Sequence, residues 1–161
     1  MPAPGASLAL RVSFVDVHPD VIPVQLWGLV GERRGEYLRL SREIQEAAAT
    51  RGQWALGSAT VTMLGPVAQY DDTNDTSIVL RIDYGATSFL LTGDMEADAE
   101  RDLVNSGANL KVDVLQVGHH GSSTSTSYVF LNAVLPEMGI ISCGVNNKYG
   151  HPHEETLSIL R

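Results

Sequence analysis

Four of the five histidines in this 161-residue chain fall between positions 119 and 153, each near the end of a strand-like run. His119 and His120 follow an apolar segment and lead into Gly121, Ser122, Ser123 and Thr124. Asp94 stands just after the apolar run Phe89-Leu-Leu-Thr-Gly, and His151 and His153 sit in Gly150-His-Pro-His. A carboxylate and imidazoles collected at strand ends are the donor set of a metal-dependent hydrolytic site, because both groups bind divalent cations.

Each of these residues also has a structural reading. Asp94 after a glycine suits a helix N-cap, where its oxygen accepts a free backbone N–H; as a carboxylate it can equally bridge two cations. Adjacent strand residues point to opposite faces, so one of His119 and His120 is expected to face the site while the other supports it. Gly121 permits close backbone approach to a ligand. Ser122, Ser123 and Thr124 either cap the next helix or help it hold an anion. His151 is a ligand or a solvated loop residue. Lys148 and Tyr149 either assist a substrate phosphate or stand exposed. His153 is the weaker candidate, and His18 reads as surface.

Periodicity supplies the elements that must position these groups. Strands are expected over residues 8–17, 59–64, 112–117 and 139–143, and a hairpin over 77–84 and 88–92 turning near Gly85. Helices are expected over 36–49, from Asp94 with Met95, Ala99 and Leu103 on one face, over 125–134, and from Glu154 to Leu160. Alternating strands and helices in the second half predict a layered α/β domain. Residues 21–30 fit no element clearly.

Composition narrows the function. The chain carries 19 acidic against 11 basic residues, a net charge of -8, which disfavours a broad nucleic-acid-binding face. A local phosphate site stays open, since a metal can supply positive charge. Cys143, the single cysteine, lies in an apolar run and reads as a buried thiol. No stretch approaches the roughly 20 apolar residues of a membrane span, and the N-terminus lacks a signal-peptide pattern, so a cytoplasmic location is the default.

Four segments together resemble a known family. Asn74-Asp-Thr-Ser-Ile-Val-Leu, Phe89-Leu-Leu-Thr-Gly-Asp94, Asp113-Val-Leu-Gln-Val-Gly-His-His-Gly-Ser122 and Asn147-Lys-Tyr-Gly-His-Pro152 look like the metallo-β-lactamase-fold domain of the ComEC/Rec2 DNA-uptake (competence) proteins. The likeness covers roughly 59–160. It implies an αββα sandwich and a metal-dependent hydrolase, with a phosphodiester such as DNA as substrate and Zn or Mn as cofactor. Asp94 would bridge two metals, and His151 would bind the second. Asn74 or Asp75 would occupy a further metal position. His120, or else His119, would stand at the leaving group, with Ser122, Ser123 and Lys148 beside the substrate.

The family's His-x-His-x-Asp-His motif, which supplies most ligands of the first metal, is absent from this chain. Residues 11–17 resemble the fold's opening strand and 24–66 the approach to its second half, so the chain reads as one partial domain lacking much of its first half. Fewer than three good ligands imply weak metal occupancy. The expectations are therefore a working hydrolase, an inactive truncated remnant or interaction module, or a same-fold hydrolase of another ester or lactam. Open sheet edges in such a piece predict a homodimer or a completing chain.

Overall fold

A computed structural model describes residues 11–16 and 52–161. The helix expected over 36–49, residues 21–30 and His18 lie outside them. The strands are β1 (Arg11–Asp16), β2 (Gln53–Leu56), β3 (Ala59–Gly65), β4 (Val79–Tyr84), β5 (Thr87–Leu91), β6 (Val114–Gln116) and β7 (Met138–Cys143). They form one seven-stranded sheet in the order β1-β7-β6-β5-β4-β3-β2. Three helices accompany them among the described residues: α1 (Ala97–Asn105), α2 (Tyr128–Val134) and α3 (Glu154–Leu160). None is long and apolar enough to cross a membrane.

The sheet has two halves of different character. β2 to β5 run antiparallel, with tight turns joining β2 to β3 and β4 to β5 and a longer connection joining β3 to β4. Tyr84 pairs with Thr87 across Gly85, and Leu56 with Ala59 across Gly57; both glycines have positive φ, as such two-residue turns require. The Gly85 hairpin matches expectation. β2 was not foreseen, although Gly57 carries the same signal. β5, β6, β7 and β1 run parallel. Parallel neighbours need crossovers, and α1 and α2 supply them between β5, β6 and β7.

One apolar cluster joins sheet and helices. Met95, Ala99 and Leu103, the expected face, are all buried, together with Leu90, Leu115, Ile141, Phe130 and Val134. Each large side chain so buried contributes about 1.5–3 kcal/mol. The helix starts differ from expectation. α1 begins at Ala97, so Asp94 lies in the preceding turn and is not its N-cap. α2 begins at Tyr128, capped by Ser127, whose hydroxyl accepts from Phe130 N–H. Ser122, Ser123 and Thr124 therefore do not open a helix.

A buried carboxylate fixes α1 against the start of α2. Glu100 is 1% exposed, and its two oxygens accept the backbone N–H groups of Thr126 and Ser127. Burial is the main cause pushing its pKa up, against the lowering effect of the bonds from Ser127 and Thr126.

A second device sets the loop between β7 and α3. Asn147 Oδ1 accepts from Tyr149 N–H at 3.1 Å and His151 N–H at 3.0 Å. Its Nδ2 donates to Gly144 O at 2.9 Å and His151 O at 2.7 Å. Every donor and acceptor of the amide is thereby used. His153 pins the same loop to its neighbour: Nδ1 accepts from Ser123 N–H at 3.0 Å, and Nε2 donates to Tyr149 O at 3.0 Å. Gly121 completes the contact. A Cβ there would lie 2.6 Å from Pro152 Cβ, and its φ is +81°. Its smallness lets one loop pack on the other, where the sequence suggested approach to a ligand.

Glu100→Ala should lower unfolding free energy by about 2–3 kcal/mol in urea denaturation, because two buried N–H groups lose a charged acceptor. The raised Glu100 pKa favours the folded state in acid: that contribution is complete below the unfolded value of about 4.3 and is lost as pH rises through the folded value. Glu100→Gln should flatten this part of the stability–pH curve. Asn147→Ala should cost about 1–3 kcal/mol and speed amide hydrogen exchange at Tyr149 and His151 several-fold; unchanged exchange there would contradict the role given to Asn147.

Candidate functional site

Parallel β5, β6 and β7 end on one edge of the sheet, the edge where α/β proteins collect ligands. Asp94 follows β5, His119 and His120 follow β6, and His151 lies beyond β7. Gln116 ties two of these ends together, its Oε1 accepting Thr92 N–H at 3.1 Å and Gly93 N–H at 3.3 Å. Ser77 Oγ accepts Asp94 N–H at 3.1 Å. A Cβ on Gly93 would sit 3.1 Å from the Ser77 side chain, so glycine is what allows this seat.

The two adjacent histidines do not continue the strand. They form a turn in which His119 has φ 46° and His120 φ 56°, both left-handed. The expected opposite-face arrangement is thereby replaced. Their ring centroids lie 6.3 Å apart, and they stand 5.5 and 6.3 Å from that of His151. His119 Nδ1 lies 3.1 Å from Glu96 Oε1, and His120 Nδ1 lies 2.7 Å from Ser142 O. These acceptors place the proton on Nδ1 in both rings and leave Nε2 bare. His120 Nε2 is 3.6 Å from Asp94 Oδ1, an ion-pair distance once the ring is protonated.

His151 completes the cluster. Its ring meets that of His153 at 4.7 Å and stacks on Tyr149 at 5.6 Å. Burial, and then the charges of His153, His119 and His120, push its pKa down, which keeps the ring neutral at pH 7. A hydrolytic metal typically needs three protein ligands. Among the described residues no three His, Cys, Asp or Glu side chains are placed to hold one ion. Asp94 and His151 share a site but do not make a metal centre by themselves.

The remaining expected residues have other partners. Asn74 donates from Nδ2 to Glu96 Oε1 at 3.1 Å, and Asp75 is buried with Oδ1 accepting Glu96 N–H at 2.9 Å. Both therefore support Glu96. Ser122 is buried and bonded to Thr124, while Ser123 faces His153. Thr124 Oγ1 donates to Glu96 Oε1 at 2.9 Å. The Lys148 ammonium lies 4.9 Å from the Tyr149 ring centre. Glu96 was missed in the sequence. Its position two residues after Asp94, outside any motif, gave no signal until the turn brought it under His119.

Two sets of relatives match different lengths of the chain. A stretch of 88 residues, 55% of the chain, is 46% identical to ComE operon protein 3 of Bacillus subtilis (strain 168), covering 11% of it. Competence protein ComA of Neisseria gonorrhoeae is 47% identical over 91 residues, 56% of the chain and 13% of that protein. Separately, 62 residues, 38% of the chain, are 95% identical to Tudor domain-containing protein 6 of Homo sapiens, covering 3% of it. The chain thus spans about a tenth of the competence relatives' length and far less of the Tudor protein. No protein-family model matches. The competence-like motifs run from Asn74 to Pro152, which leaves the first 73 residues as the stretch able to hold the 62-residue match outside them. The C-terminal part of the chain fits the ComEC/Rec2 family of competence proteins.

Proposed function

We propose that the C-terminal part is the substrate side of a metal-dependent phosphodiesterase domain of the metallo-β-lactamase type, and that DNA is its substrate. One observation carries this reading: His119 and His120 each have Nδ1 anchored, their rings lie 5.5 and 6.3 Å from that of His151, and His120 Nε2 faces Asp94 Oδ1 at 3.6 Å. Cleaving a P–O bond requires an activated water, a counter-charge for the phosphoryl oxygens, and a proton for the leaving oxygen. This chain supplies the third. Once protonated, His120 passes its Nε2 proton to the leaving oxygen as the P–O bond breaks, with Asp94 Oδ1 at 3.6 Å as counter-charge to the imidazolium. His119, fixed by Glu96, stands beside it as a second proton carrier.

Water activation belongs to the His-x-His-x-Asp-His motif, which this chain lacks. The divalent metal, Zn or Mn, would bind Asp94 and His151 only with ligands from a completing chain. In this reading the first part of the chain is a separate, Tudor-protein-like piece. Residues 11–17 and 24–66 are then not remnants of the competence domain's first half, despite their resemblance to it. The high identity of the 62-residue stretch to a protein of another family supports this.

Incubated with Zn²⁺ or Mn²⁺ and bis(p-nitrophenyl) phosphate, the chain alone should release nitrophenolate no faster than metal alone. After dialysis it should retain well under one metal per chain by elemental analysis. Turnover that Asp94→Ala abolishes would overturn the incomplete site in favour of a working enzyme.

A further inference from the structure

Beside the histidine cluster opens a cleft of about 400 Å³, within the range of about 300–1,000 Å³ typical of small-ligand sites. His120 and His151 form the wall it shares with the cluster, and Tyr149, Ser142, Cys143 and Asn147 line the rest. Resting on the phosphodiester reading above, we propose that this cleft is a nucleobase subsite. It takes the base of the nucleotide whose phosphate stands at His120, and Tyr149 is the stacking platform.

Three observations carry the assignment. The first is the Tyr149 ring itself, 64% exposed yet fixed in place. Asn147 holds its N–H, the side chain of His153 holds its carbonyl, and His151 stacks on it at 5.6 Å with planes 21° apart. A large aromatic kept exposed and rigid offers a π-face with little ordering entropy left to lose. The second is continuity. His120 and His151 are themselves stacked, with planes 26° apart, so the rings of His120, His151 and Tyr149 run in near-parallel series from the phosphate position into the cleft. The third is charge. The Lys148 ammonium stands over the Tyr149 ring, 4.9 Å from its centre, where an incoming base displaces it toward the strand's next phosphate.

The same geometry limits what the subsite can read. The Asn147 amide, the group best suited to pair with a base edge, has all its hydrogen bonds within its own loop. The Ser142 carbonyl is taken by His120. Recognition therefore rests on stacking, which every base offers, and the subsite tolerates any sequence.

Cys143, the chain's single cysteine, lies in the cleft wall and reports its occupancy. Its alkylation by iodoacetamide should slow in the presence of a short oligothymidylate or oligodeoxyadenylate, with the two alike within a few-fold. An abasic strand of equal length should bind but leave the thiol open. Tyr149→Ala should weaken binding of the base-bearing strand roughly 5- to 100-fold and abolish protection, while Tyr149→Trp retains both. Strand binding is followed in parallel by fluorescence anisotropy. Equal protection by the abasic strand, binding of base-bearing strands without protection, or an unaffected Tyr149→Ala overturns the subsite and leaves the phosphate reading standing. If no strand binds at all, the phosphodiester reading falls first and the subsite with it.

Discussion

Two successive non-glycine residues in left-handed backbone, His119 and His120, set what every neighbouring element of the site must do. Left-handed backbone costs an L-residue roughly 1–2 kcal/mol, so such a turn persists only where its surroundings over-determine it. Here they do. His119 N–H donates to Gly93 O at 3.0 Å, its carbonyl accepts Ser122 N–H at 2.9 Å, and both imidazoles are tied through Nδ1. The ties come from the turn between β5 and α1, which holds Gly93 and Glu96, from Ser142 of β7, and from Ser122 in the loop that follows. The turn converts an extended pair, whose side chains would diverge, into a pair whose rings share one side. Strain in the main chain thus becomes convergence in the side chains.

That convergence explains why the supporting residues are polar and half-buried. Glu96 Oε1 accepts from His119, Asn74 and Thr124 at once, and Asp75 holds the Glu96 N–H. A carboxylate so surrounded has its charge dispersed over several donors and holds the imidazole in one tautomer. Asp94 is treated differently. Among the described residues its side chain meets only His120 Nε2, at 3.6 Å. Two carboxylates two residues apart therefore stand in opposite settings, one tied into a hydrogen-bond network and one facing an imidazole.

Much of this was legible in the residues. The core face of Met95, Ala99 and Leu103, the Gly85 hairpin, the buried strands and the helix from Glu154 follow from period and turn chemistry, which are local. The gathering of Asp94, His119, His120 and His151 followed from strand ends, since a parallel sheet brings its C-terminal ends together. The partners were not legible. Asn74 and Asp75 carry ligand chemistry, yet they serve a glutamate 20 or more residues away, a pairing set by a three-residue 3-10 turn (Asn74–Thr76). The Ser122–Thr124 hydroxyls suggested a helix start, but the chain makes a further turn before Ser127 caps α2. Gly121 suggested a ligand because nothing in the sequence shows that Pro152 packs on it.

The β1–β7 ladder bears on the origin of the chain. Six consecutive residue pairs join Arg11–Asp16 to Met138–Cys143 in parallel. Main-chain hydrogen bonds carry no side-chain information, so any extended segment of suitable length can close the open edge of β7. Such pairing is therefore no sign of common descent between the segments that it joins. The histidine cluster depends on β5, β6 and β7, whose mutual order is set by the crossovers through α1 and α2 and by Gln116. A strand laid on the outer edge of β7 protects that edge but supplies none of the described contacts to the four site residues. The geometry of the four site residues thus rests on the sheet of the C-terminal part itself.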